Sequence, residues 1–437
     1  MIDCFNYFKN KKITIMGLGL LGRGIGIARF LAEAEACLTI TDLKTEKELK
    51  LSLNKLKKFK NINYVLGKHR LVDFRNKDMV IKAAGVPLDS MYIKEARRNK
   101  IPVEMDASLF IKLAKIKTIG ITGTRGKSTV TDIVYQILKK NYSLGNIFLG
   151  GNVKGVATLP LLKKVKKNDI VVLELDSWQL QGFNDLKISP QVSIFTNFLP
   201  DHMNYYKNRM DLYFKDKSSI FKFQNKNDYL IISQQSKKEI TKRFNNIIKS
   251  KIIITKNEKW QTKLIGKHNQ ENFNLASQAL EILGIKKSII KKEIKNYSGL
   301  SGRMELVRKF KGVDYYNDTN ATSPEAVIAA INAINKNIIL IAGGNDKELD
   351  YREMVEIIEK KVKTLVLIKG TATDKIIKIM GYLVEAVDNM KDAVKKANKF
   401  AKKGDVVLLS PGAASFGIFK NEYDRGNQFI KLVKKMK

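Results

Sequence analysis

The chain has 437 residues, 44% of them hydrophobic, with 28 glycines and 7 prolines, which excludes a disordered or fibrous protein and predicts about three globular domains. Net charge is +37, but lysine pairs recur throughout, as at 57–58, 139–140, 237–238 and 402–403, without a concentrated basic arm, so no nucleic-acid partner is expected. Two cysteines and no charged-then-apolar leader predict a reducing, cytoplasmic setting, and no apolar run is long enough for membrane insertion.

The first predicted unit opens with the strand KKITIM, followed by GLGLLG, a helix running to about Ala36, and the strand CLTITD. Gly17, Gly19 and Gly22 have dinucleotide-binding spacing, and Asp42 ends the second strand where an acid would meet a ribose hydroxyl. Taken alone, this stretch reads as an NAD-dependent dehydrogenase. The segment KAAGVP follows the strand DMVI and would close over the same crevice.

GITGTRGKST, at residues 120–129, is a strand entering a glycine-rich turn, and it predicts a phosphate-binding loop. Backbone N–H groups and a helix N-terminus would face the anion, Lys127 would reach the outer phosphates, and the Ser128 hydroxyl would ligate magnesium. The spacing from Gly120 to Gly126 is one residue longer than usual, and Gly123 makes the inner turn. DIVVLELDSWQL then carries an apolar run ending in Glu174, placed to hold the same metal. After the strand QVSIFTN comes FLPDHMNYY, where His202 is a candidate ligand for a second metal; GKHNQENFNLASQAL reads as a turn into a helix. The last unit alternates VDYYND, NIILIAGG, TLVLIKG and DVVLLSPG with helices, a doubly wound βαβ pattern. Its loops NDTNATSP, AGGNDKE and SPGAASFG would line one sheet edge.

GTRGKST, LELDSWQL, NFLPDHMNYY, GKHNQENFNLA, SGRMEL, NDTNATSP and SPGAASFGIFKNEYDRG stand in the order and at about the separations of the Mur ligases, which the chain resembles along its whole length. The resemblance implies an α/β protein of three domains. Residues 1–105 would be a Rossmann-like UDP-substrate domain, 106–300 a central P-loop ATPase-type parallel sheet, and 301–437 a doubly wound Rossmann-like domain for the amino acid.

It further implies a monomeric ATP-dependent ligase that adds D-glutamate to UDP-N-acetylmuramoyl-L-alanine through an acyl phosphate. Gly123, Thr124, Arg125, Gly126, Lys127, Ser128 and Thr129 would hold ATP, joined by Asn269, Arg303 and Asp318 as the third domain closes. Ser128 and Glu174 would bind one Mg2+, and His202 a second with Lys217, carbamylated by CO2. Gly19, Leu20, Leu21, Asp42 and Gly85 would hold the UDP part; Asn152 and Asp201 would belong to the adjoining site, Asn152 on the UDP-substrate side. Thr322, Lys347 and Ser415 would hold the amino acid. The chain departs from the family pattern at Arg125, Gly302, Asn320, Glu422 and Tyr423. Related enzymes that add glutamate to a folate or a poly-glutamate chain share the central motifs but lack the first domain.

Overall fold

A computed structural model describes residues 4–20, 22–203, 205–244, 248–264 and 266–436. Three sheets follow one another along the chain. The first holds β1 (Lys12–Met16), β2 (Cys37–Asp42), β3 (Ile62–Leu66), β4 (Met79–Lys82) and β5 (Val103–Glu104) in the order β3-β2-β1-β4-β5, all parallel. The second holds β6 (Lys117–Thr122), β7 (Ile147–Gly151), β8 (Ile170–Glu174), β9 (Val192–Phe195), β10 (Tyr229–Ile232) and β11 (Lys251–Ile254) in the order β11-β10-β9-β6-β8-β7, also parallel. In both sheets the central strands are unbroken runs of buried apolar and β-branched residues, as parallel strands covered on both faces require.

The chain forms two compact units, 1–258 with 271–291, and 259–270 with 292–437. The first unit contains both sheets above, and one contiguous core runs through it from Phe8 and Phe30 to Phe195 and Phe221. The helix Asp106–Ala114 lies between the sheets in sequence and contributes Ala107, Leu109, Phe110 and Leu113 to that core. Its first residue turns a buried carboxylate onto the backbone N–H groups of Thr158 and Leu159, at 2.8 and 2.7 Å.

The second unit carries the third sheet: β12 (Glu305–Phe310), β13 (Val313–Asn317), β14 (Ile338–Gly343), β15 (Val362–Ile368), β16 (Ala386–Val387) and β17 (Val406–Leu409), in the order β12-β13-β17-β14-β15-β16. Its βαβ alternation follows the sequence pattern. The addition is β12, an antiparallel edge strand paired with β13, whose charged, half-exposed ELVRKF gives no continuous apolar signal. No helix among the described residues is long and apolar enough to cross a membrane.

Candidate active site

β6 delivers the chain into the turn Gly123–Gly126, and the helix Lys127–Asn141 starts at once. The turn needs glycine for reasons of space as well as conformation. At Gly123 (φ +142°) a Cβ would lie 1.9 Å from Thr196 Oγ1, and at Gly126 (φ +83°) 2.4 Å from Asn272 Oδ1. The backbone N–H of Thr124 donates to Asn197 O at 2.9 Å, and that of Arg125 to Asn197 Oδ1 at 2.8 Å. The exit of β9 thereby clamps the turn.

Four of the residues singled out in the sequence converge on this turn. Lys127 Nζ donates to the carbonyls of Gly123 and Thr124, both at 3.0 Å. Lys217, on the helix Met210–Ser218 and only 1% exposed, donates to the same Gly123 carbonyl at 2.7 Å. Ser128 donates its hydroxyl to Glu174 Oε1 at 3.1 Å, with Glu174 buried at the end of β8. Burial first, and then the charge of Lys127, holds the Lys217 ammonium well below its ordinary pKa.

His202 stands nearby in left-handed backbone (φ +56°), its ring 4.6 Å from that of Trp178. Burial lowers its pKa, Asp201 opposes that, and the charges of Lys127 and Lys217 add to it, so the imidazole is held toward its neutral, metal-ligating form. Asp201 Oδ2 lies 3.7 Å from both His202 Nε2 and Arg125 Nη1. A hydroxyl and a carboxylate at a helix N-terminus are hard oxygen donors and fit magnesium, which takes few protein ligands. His202 together with an amine does not make a magnesium site; His202 with a carboxylate-bearing Lys217 would.

The first glycine loop is built differently. Gly17, Gly19 and Gly22 all have positive φ, and the Asp42 carboxylate is hydrogen-bonded to the backbone of this loop. Its Oδ2 accepts the backbone N–H of Leu18 and Gly19, at 2.9 and 3.0 Å, and its Oδ1 that of Lys44 at 2.9 Å. Leu20 is exposed, Leu21 lies outside the described residues, and Gly85 sits in open space in the loop after β4. Asn152 accepts from Arg23 Nη2 at 3.0 Å, joining the exit of β7 to the helix that follows the glycine loop.

In the second unit, Lys347 Nζ donates to Thr322 Oγ1 at 2.9 Å. Ser415 is buried in the loop after β17. Asp318 accepts from Met304 N at 3.1 Å and Ser410 Oγ at 3.0 Å, and burial raises its pKa to about 7. Arg303 contributes a positive charge near Asp318, and Asn269 is buried in the helix Lys267–Ile282. Sequence reasoning missed Arg425, fully buried in the YDRG segment. Its guanidinium donates to Thr319 O, Thr319 Oγ1 and Ala413 O, fastening the NDTNATSP and SPGAASFG loops together. A charged residue inside a quoted motif with no assigned role was the signal available.

Three family models match the chain: "Mur ligase MurD-like, N-terminal domain" over residues 11–104, "Mur ligase middle domain" over 121–286 and "Mur ligase, glutamate ligase domain" over 302–412. A UDP-N-acetylmuramoylalanine--D-glutamate ligase of Borreliella burgdorferi is 38% identical across 97% of this chain and 98% of its own. A Roseiflexus ligase of the same name is 33% identical over equal shares. Among solved structures, the UDP-N-acetylmuramate-alanine ligase of Thermotoga maritima shares the fold with a TM-score of 0.61 at 19% identity, covering 98% of this chain and 100% of that one. The MurF ligase of the same organism, solved in complex with ADP, gives 0.61 at 17% identity over 91% and 95%. Matched along nearly its whole length in sequence and in fold, the chain belongs to the Mur ligase family.

Proposed function

We propose that this Mur ligase joins D-glutamate to UDP-N-acetylmuramoyl-L-alanine at the expense of ATP, as a monomer in the cytoplasm. The observation that carries the reading is the convergence of Lys127, Lys217 and the Ser128–Glu174 pair on one phosphate-type loop. The names of full-length relatives at 33–38% identity support the same reaction. The MurD-like match over residues 11–104 argues against a folate or poly-glutamate ligase.

A carboxylate is a poor acyl donor, so the L-alanyl carboxylate must first take the γ-phosphoryl group of ATP. The N-terminus of the helix Lys127–Asn141 and the Lys127 ammonium would bind that phosphate chain, the ammonium exchanging the loop carbonyls for phosphate oxygens. Mg2+ held by Ser128 and Glu174 would offset charge developing on the transferred group. Lys217, with its ammonium destabilised, offers a free amine that can attack CO2, lose one proton and become a carbamate. That carbamate and the neutral His202 would form the second metal site. The amine of D-glutamate then attacks the acyl phosphate, and phosphate leaves. Lys347 and Thr322, with Ser415, would hold the amino acid and its side-chain carboxylate. Asp42, by ordering the Leu18 and Gly19 amides, would support the loop for the UDP part without touching a ribose.

Phosphate release measured with UDP-N-acetylmuramoyl-L-alanine and a panel of amino acids tests this reading. D-glutamate is expected to give the highest turnover, with Lys347→Ala the most damaging change in its pocket. Faster turnover with a neutral or cationic amino acid would overturn the D-glutamate assignment, and no phosphate release with any amino acid would overturn the ligase reading.

A further inference from the structure

Beside the four converging residues runs a hydrogen-bonded bridge that the family motifs leave without a role. The Tyr205 hydroxyl accepts from Gln181 Nε2 at 3.1 Å and meets the backbone of Leu88, in the first-domain loop that follows β4 and contains Gly85. Gln181, 4% exposed on the helix Ser177–Leu186, also donates to Asp216 Oδ2 at 2.8 Å. Tyr206 donates to that same oxygen at 3.0 Å, and Asp216 directly precedes Lys217. The Tyr205 ring stands edge-on to Trp178 with centroids 5.5 Å apart, and Trp178 packs on His202 at 4.6 Å.

One side chain thus touches the loop expected to hold the UDP-substrate, the hydrogen-bond partner of the Lys217 helix, and the aromatic support of His202. We infer that Tyr205 is a positioning residue which fixes the loop 83–90 against the Lys217 helix and the His202 ring, so that occupancy of the UDP-substrate loop sets the geometry of the reacting site. The inference rests on the ligase reading above. Among the described residues, the hydrogen-bond and ring contacts of Tyr205 go to Leu88, Gln181, Trp178 and Tyr206 and not to the phosphate loop. Its contribution runs through Gln181 and Trp178, and outer partners of this kind typically change activity by about 10- to 100-fold. The ion pair between Arg97 and Asp185, at 3.0 Å, crosses the same boundary but is exposed, and contributes little.

Tyr205→Phe deletes the hydroxyl and keeps the ring. We expect about a tenfold fall in kcat/KM for UDP-N-acetylmuramoyl-L-alanine, shared between KM and kcat, with the KM for ATP and the thermal midpoint unchanged. Amide hydrogen exchange should rise together in residues 83–90 and 210–218. Gln181→Met should reproduce both effects, and the double variant should be no worse than either single one, because the two residues form one bridge. Unchanged exchange at 83–90, additive losses, or an equal rise in the KM for ATP would overturn the inference. Absence of phosphate release in the wild type would instead overturn the ligase reading, leaving the exchange measurement to decide this one.

Discussion

Two glycine loops in this chain look alike in sequence and are held by side chains of opposite charge. Each follows a buried parallel strand and opens a helix, the first after β1 and the second after β6. In the first, amide donors are consumed internally: the Asp42 carboxylate takes the N–H of Leu18 and Gly19, placing a negative charge where a dinucleotide fold would bring a pyrophosphate. In the second, Asn197 takes the N–H of Thr124 and Arg125, and the carbonyls of Gly123 and Thr124 accept from Lys127 and Lys217, which gathers positive charge at a helix N-terminus. Each loop also has a buried lysine beside it. Lys82 donates to Val86 O and faces Asp185, Asp176 and Asp216; Lys217 also faces Asp176 and Asp216, with Asp201, but the charge of Lys127 stands against it and acts on it most strongly. The glycine spacing therefore sets only the backbone; the flanking side chains decide which of its amides and carbonyls are already bonded.

The largest expected effect breaks the second loop. Lys127→Ala should lower kcat for phosphate release by about a hundredfold or more with the fold intact, since a positioned charge on a transferring phosphoryl group commonly has that value. Activity within a few-fold of wild type would separate the loop from the chemistry. Lys217→Ala should be comparably inactive, and acetate or formate should restore part of the rate by standing in for the carbamate; a variant active without added acid would remove the carbamate. At the first loop the effect should be smaller. Asp42→Ala frees the Leu18 and Gly19 amides and should raise the KM for the UDP-substrate about tenfold, the equivalent of one charge-assisted hydrogen bond, while leaving the KM for ATP near wild type. Calorimetry showing NAD bound tightly by the wild type would reverse the reading of this loop.

Much of this was legible in the sequence because the signals are local. The strand, turn and helix around Gly123, the carboxylate ending β8, and the βαβ alternation after Val313 each follow from spacing and burial pattern within about 10–20 residues. Asp42 was legible as an acid at a strand end, but not its partner, because an open and a backbone-bound carboxylate leave the same sequence signature. β12 was not legible: its edge position leaves it half exposed and charged. The Tyr205–Gln181–Asp216 bridge joins residues 24 and 35 positions apart on separate elements, which no periodicity reports. Lys217 was legible only through the family resemblance, and the burial of Lys82 not at all, because the neighbours of both arrive only with the fold.

The smallest expected effect sharpens the contrast between those two lysines. Burial lowers the pKa of Lys82 to about 8, with Asp185, Asp176 and Asp216 holding it from falling further. The folded chain therefore releases this proton before the unfolded chain does. Between about pH 8 and the ordinary lysine value of 10.5, the unfolded state binds more protons, so stability rises with pH across that window; below it the full cost of a buried ammonium is present. At about 1.4 kcal/mol per pKa unit, a fall from 10.5 to about 8 contributes on the order of 3 kcal/mol. Lys82→Met removes the titration and keeps most of the volume. Its denaturant midpoint, followed from pH 7 to pH 10, should lack the share of the upward slope that Lys82 supplies in the wild type. Lys217 titrates in both proteins, so the difference between the two curves isolates Lys82, and parallel curves would show that its three carboxylates keep it fully charged throughout.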